Sequence, residues 1–214
     1  MNEMTVEFLD EIFAQAKELS EKDHHHAHVV ELLEVYIKVR PDHARAWALY
    51  GEALKDLGRN KEGLQALTAA YELAPETYKA YVAMQIGVLL KDFQSPKDAS
   101  PWFEIGCKYS DADSGWPWIL RGSNLISLGE FETAIACFET ALRGDHAIKD
   151  EAYFNLGLAY RALGTYEQAI NCFKSALQIT PDYEEAISAL AGIVSLADTL
   201  KLSLELRKFY GEIH

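Results

Sequence analysis

Residues 150–181 read DEAYFNLGLAYRALGTYEQAINCFKSALQITP, and their spacing decides the fold. Tyr153, Leu156, Gly157 and Tyr160 stand at offsets of three, four and seven, so on a helix they share one face. Leu163-Gly164 stops that helix. Ala169, Phe173 and Ala176 then form a second stripe, which Pro181 closes. Two amphipathic helices joined by so short a turn fold back on each other as an antiparallel hairpin. Gly157, Ala169 and Ala176 are small enough to let the helices approach, while Tyr153, Tyr160 and Phe173 fill the space around them.

The pattern recurs upstream. Trp47, Tyr50, Gly51 and Leu54 precede Leu57-Gly58, and Gly63, Leu67, Ala70 and Pro75 complete that unit. Trp47 reads as core. Ala83, Ile86, Gly87, Leu90 and Phe93 are followed by Ala99, Phe103 and Gly106; Trp118, Gly122, Leu125 and Leu128 by Phe131, Ala134, Phe138 and Ala141. Gly51, Gly87, Gly122 and Gly157 are 36, 35 and 35 residues apart, as are Leu57, Phe93, Leu128 and Leu163. A repeat array follows from these columns.

The slots of residues 150–181, aromatic, Leu-Gly, Tyr, Ala, Phe, Ala and terminal Pro, resemble the tetratricopeptide repeat in every position. That resemblance implies an all-α, right-handed superhelical solenoid of antiparallel hairpins, about twelve helices here. A degenerate or capping hairpin over 1–43 is expected before four repeats at 44–79, 80–114, 115–149 and 150–182, with a partial repeat and capping helix over 183–214.

Several local departures are visible. The first helix is expected over residues 5–19 as a lid, with Ser20 and Asp23 forming a capping box that starts a second helix at Glu21. His24, His25, His26 and His28 fall in that second helix; His24 and His28, one turn apart, form the one candidate metal pair, and a solvated helix start is the preferred reading. Pro101 should kink or delay its helix, which either Ser95-Pro96 or Ser100-Pro101 opens. Arg121 occupies a slot usually held by Leu and is expected to extend its head to water along an apolar stem, rather than to be buried on a carboxylate or carbonyl. His146 stands where Pro closes other units. After Pro181, Ile187, Leu190, Ala191 and Val194 take the core slots of a helix from 183 to 197, and Asp198 caps a last helix to about Tyr210. Leu200, Leu202, Leu204, Leu206 and Phe209 cover more than one face of it, which makes self-association through this helix an alternative role.

Composition bounds the function. At 214 residues and 49% hydrophobic the chain is long enough for a continuous core. Its net charge of -13 opposes nucleic acid and anionic membranes as direct partners. The acidic start MNEMTVEFLDEIF lacks the features of a secretion signal, and no apolar run reaches membrane-spanning length. Three unpaired-looking cysteines, Cys107, Cys137 and Cys172, fit a reducing compartment, so a cytoplasmic location is expected. No phosphate loop, nucleophile elbow or paired-cysteine motif is present, and neither enzyme activity nor a cofactor is expected.

In the family, the first helix of each unit lines a concave wall that holds ligands. The resemblance therefore implies a scaffold for protein interaction, active in assembly or regulation of a complex. Projection of the helical period gives the wall as Arg45, Ala48, Leu49, Glu52, Tyr81, Met84, Gln85, Val88, Trp116, Ile119, Leu120, Ser123, Phe154, Asn155, Leu158 and Arg161. Its middle is apolar and aromatic, so an apolar or amphipathic peptide or helix is the expected ligand. Cover by a terminal helix or a second copy of the chain is the alternative. The basic and amide clamp with which relatives hold the acidic tail of heat-shock chaperones is missing; Asn155 alone matches it.

Overall fold

The computed structural model describes residues 3–22, 24–110, 114–144 and 148–195. All regular structure among them is helical: α1 (Glu3–Ser20), α2 (His26–Val39), α3 (Ala44–Asp56), α4 (Asn60–Leu73), α5 (Glu76–Phe93), α6 (Pro96–Tyr109), α7 (Trp116–Leu128), α8 (Phe131–Arg143), α9 (Lys149–Ala162), α10 (Tyr166–Ile179) and α11 (184–195). The chain forms two compact units, Met1–Asp111 and Ala112–His214. In the first, α1 pairs with α2, α3 with α4 and α5 with α6; in the second, α7 pairs with α8 and α9 with α10.

One contact repeats within the hairpins. A β-carbon on Gly87 would lie 2.7 Å from Cε1 of Phe103, on Gly122 2.5 Å from Cε1 of Phe138, and on Gly157 2.6 Å from Cε1 of Phe173. In the α3–α4 pair Leu67 takes the place of the ring, 2.7 Å from such an atom on Gly51. The bare backbone of each first helix thus seats the large buried side chain of the second, at a separation no other residue type permits. At the turns, Gly58, Gly129 and Gly164 have φ of 74°, 80° and 76°, the left-handed conformation that ends a helix and reverses the chain. The α5–α6 turn uses Gln94 and Ser95 instead. Ser95 Oγ accepts from the Asp98 backbone N–H at 3.3 Å and donates to Asp98 Oδ2 at 2.6 Å, and Pro96 fills the first helical position. The helix therefore opens at Ser95-Pro96. Pro101 lies inside it without breaking it.

The N-terminal expectation needs correction. The second helix starts at His26, not Glu21. Ser20 Oγ donates to the Lys17 carbonyl at 2.7 Å, closing α1 rather than opening α2. His24 has φ 71°, a left-handed turn residue outside the helix, so the one-turn spacing that would pair it with His28 does not form. His28 Nδ1 lies 3.4 Å from Glu31 and His26 Nδ1 3.4 Å from Asp56. Among the described residues, no group of three or more His, Cys, Asp or Glu is placed to hold a metal ion.

The last helix also differs. α11 turns Ala186, Ala189 and Ile193 inward, where Ala189 and Ile193 join Ala169 and Phe173, while Ile187 is 48% and Val194 46% exposed. Of the expected core set, Leu190 packs partly buried against this cluster whereas Ile187, Ala191 and Val194 are exposed, so the buried stripe is shifted by one position. His146, Ala197, Asp198 and the apolar set from Leu200 to Phe209 lie outside the described residues. Arg121 is half-buried with its guanidinium 5.9 Å from the Trp118 ring centroid, a cation–π contact along its own helix face. Trp47 is half-buried against the first core, and its indole N–H donates to the Pro41 carbonyl at 2.9 Å.

Candidate functional site

Of the projected wall residues in the first unit, Arg45, Leu49, Glu52 and Tyr81 come together in a cleft of about 290 Å³ formed by α1, α3 and α5. Phe13, Lys17, Ser20, Glu21 and Tyr78 complete it. α5 begins immediately after Pro75, whose extended ψ of 159° ends the preceding segment, so Tyr78 and Tyr81 lie in its first turns and on one face. Their rings stack with centroids 5.2 Å apart and 19° between planes. Arg45 places its guanidinium carbon 5.5 Å from the Tyr78 centroid.

Glu52 lies at the centre of this arrangement. Tyr81 Oη donates to Glu52 Oε1 at 2.8 Å. Burial raises the carboxyl pKa of Glu52, against the lowering effects of the Tyr81 hydroxyl and the Lys55 charge. Burial, followed by the Glu52 charge, pushes Tyr78 up to about 12 and raises Tyr81 as well. Both tyrosines therefore remain hydrogen-bond donors at any physiological pH.

In the second unit, Phe154, Leu158 and Arg161 of α9 meet Glu184, Glu185, Ser188 and Ala189 of α11 around an open cleft of about 500 Å³. The Phe154 ring is held from behind by Phe173 at 5.8 Å and Tyr183 at 5.0 Å between centroids. Ser188 and Ala189 follow Phe154 and Asn155 by 34 residues, one short of the 35-residue spacing of the preceding units, so continuing that spacing past Pro181 misses their register by one position. Tyr78 carried a signal, three residues before Tyr81. Phe13, Lys17, Ser20 and Glu21 had none, because only packing decides which end of α1 meets α3.

Other projected positions lie outside the linings of these two clefts. Met84 is fully buried, with its thioether against Gly106, where a β-carbon would collide with it; Ile119 is 1% exposed within the core of its unit. Both are core residues, as is the fully buried Ala48 of α3, and all three are corrected from wall to interior. Gln85 hydrogen-bonds Tyr81, and Asn155 Nδ2 donates to the Glu151 carbonyl at 3.0 Å, so each amide is already engaged on its own helix. Val88, Trp116, Leu120 and Ser123 are half-buried. No ring contact joins Trp116 to Phe154 among the described residues. The two clefts are lined by aromatic, aliphatic and charged groups together.

The sequence matches the family model described as tetratricopeptide repeat over residues 29–77 and 119–184, more than half of the chain. No curated protein matches it. Among solved structures, YrrB, a TPR protein with an unusual peptide-binding site, is 20% identical with a TM-score of 0.63, over 81% of this chain and 87% of that one. MamA from Desulfovibrio magneticus RS-1 is 14% identical with a TM-score of 0.69, over 82% and 96%. A chain of the APC/C hetero-tetramer Cut9-Hcn1 is 15% identical with a TM-score of 0.68, over 89% of this chain and 40% of that one. These likenesses show a shared fold.

Proposed function

We propose that this chain, which belongs to the tetratricopeptide repeat family, is a non-enzymatic scaffold that holds a segment of another protein on the first helices of its hairpins. The observation that carries the reading is the position of the two clefts: one is built by α1, α3 and α5, the other by α9 and α11, all first helices. Their lining suits an amphipathic segment, with Phe13, Leu49, Phe154 and Leu158 for apolar side chains and Arg45, Glu52, Arg161 and Glu184 for charged ones. YrrB, with the same fold, has a peptide-binding site, which supports the reading by analogy. The net charge of -13 favours a protein partner over nucleic acid. Among the described residues, no helix is long and apolar enough to cross a membrane. Assembly or regulation of a complex is the role such a scaffold serves.

A photo-crosslinking amino acid at Leu49 or Leu158, in separate variants exposed to native lysate, is expected to capture a discrete polypeptide. The same group at Gln65 on α4 or Lys174 on α10, both exposed on second helices, is the control. Equal capture from both sets of positions, or none at Leu49 and Leu158, would overturn the reading.

A further inference from the structure

We propose that the cleft of the first unit takes up one basic side chain, a lysine or arginine of the bound segment, on Glu52 and the Tyr78–Tyr81 pair. The inference rests on the scaffold reading above and names what that cleft selects. Glu52 is half-buried, and among the described residues its hydrogen bond comes from the Tyr81 hydroxyl, with no ion pair to it. An ionised carboxylate has about four acceptor sites, and this one, partly removed from water, has a single neutral donor in contact and feels the Lys55 charge without an ion pair to it. A lysine ammonium or an arginine guanidinium supplies that charge and further donors.

The neighbouring groups point the same way. The faces of tyrosine rings attract cations, and Arg45, 5.5 Å from the Tyr78 centroid, already exploits one of them. With its guanidinium on that ring, Arg45 is directed to Tyr78 rather than to Glu52. An acidic side chain entering the cleft would meet the carboxylates of Glu52 and Glu21; the basic residues of the lining are Lys17, exposed on α1, and Arg45, whose guanidinium lies over Tyr78. A volume of about 290 Å³ is just below the range of sites for whole small molecules, roughly 300 to 1,000 Å³, and suits one long side chain with its stem along Leu49 and Phe13. The overall charge of -13 draws basic segments toward the chain.

The test is an NMR titration of the full chain with two capped pentapeptides, Gly-Ala-Arg-Ala-Gly and the same peptide with citrulline, which keeps the shape of arginine without its charge. The arginine peptide is expected to shift the backbone amides of Glu52, Tyr78 and Tyr81, and the citrulline peptide to bind at least about tenfold more weakly. Glu52→Gln retains an oxygen for the Tyr81 hydroxyl and should abolish the difference between the peptides. The citrulline arm uses the unaltered protein, so the result stands even if that variant folds poorly. Equal shifts from both peptides, or none at these residues from the arginine peptide, would overturn the inference. Crosslinking at Leu49 and Leu158 would still decide the scaffold reading separately.

Discussion

Gly157 and Phe173 occupy a single slot between them: a β-carbon on the glycine would lie 2.6 Å from Cε1 and 2.8 Å from Cδ1 of the ring, closer than such atoms approach in folded proteins. Phe173 is fully buried, so the ring has no open side to retreat to. Gly157→Leu should therefore cost about 1 to 3 kcal/mol or more by overpacking the α9–α10 hairpin. Because stability in repeat proteins is close to a sum of unit and neighbour terms, hydrogen-exchange protection should fall most in α9 and α10 and least in α3 and α4. Undiminished protection of α9 and α10 would show that the glycine does not set the packing distance.

Ser95 is the helix cap for which the sequence offered two choices. Ser95→Ala removes the acceptor for the Asp98 N–H and should lower stability by about 1 kcal/mol. Ser100→Ala, in the second turn of α6, should change it by less than half as much. Denaturant titration of the two variants decides between them; equal losses would argue against Ser95 as the cap.

His43 gives the first unit a pH dependence. Its ring lies 4.7 Å from Phe13 and 5.4 Å from Tyr36 between centroids, and its Nδ1 is buried with no hydrogen-bond partner. Burial lowers its pKa below the usual 6.5, helped by Arg40 and Arg45 and opposed by Asp42 and Asp10. With the folded pKa depressed, the unfolded chain binds the proton first as pH falls below about 6.5, so stability is lost over that descent and levels off once the folded ring also protonates. His43→Gln keeps a polar group that does not titrate. The difference in melting temperature between wild type and this variant should shift against wild type from pH 7.5 to pH 5. A difference constant over that range would show that His43 titrates alike in both states.

Cys172 reports the integrity of the second unit. Burial pushes its thiol up to about 11, and it packs within the core that includes Ile119 and Leu156. Since the thiolate is the reactive form, a disulfide reagent at pH 7.5 should modify Cys172 far more slowly than a free cysteine, and at a comparable rate once denaturant unfolds the chain. Rapid modification in the native state would place the thiol at the surface.

Local chemistry in the sequence determined the hairpins. Gly157, Gly164 and Phe173 recur at a fixed period because each acts within one hairpin: a turn that needs a left-handed residue, and a crossing that admits no side chain. Those requirements are met within about thirty residues, so they are legible without knowing the rest of the fold. Tertiary structure alone decided which faces were left over for function. Met84 and Leu49 both fit the wall by helical period, yet Met84 is buried against Gly106 of the next helix, and Leu49 faces a cleft whose other side is the end of α1. The Glu52–Tyr81 hydrogen bond spans 29 residues and two hairpins, and no local spacing encodes it. Which side chains meet across neighbouring helices depends on their rotation and offset when packed, and small differences in side-chain volume along the whole interface set those quantities.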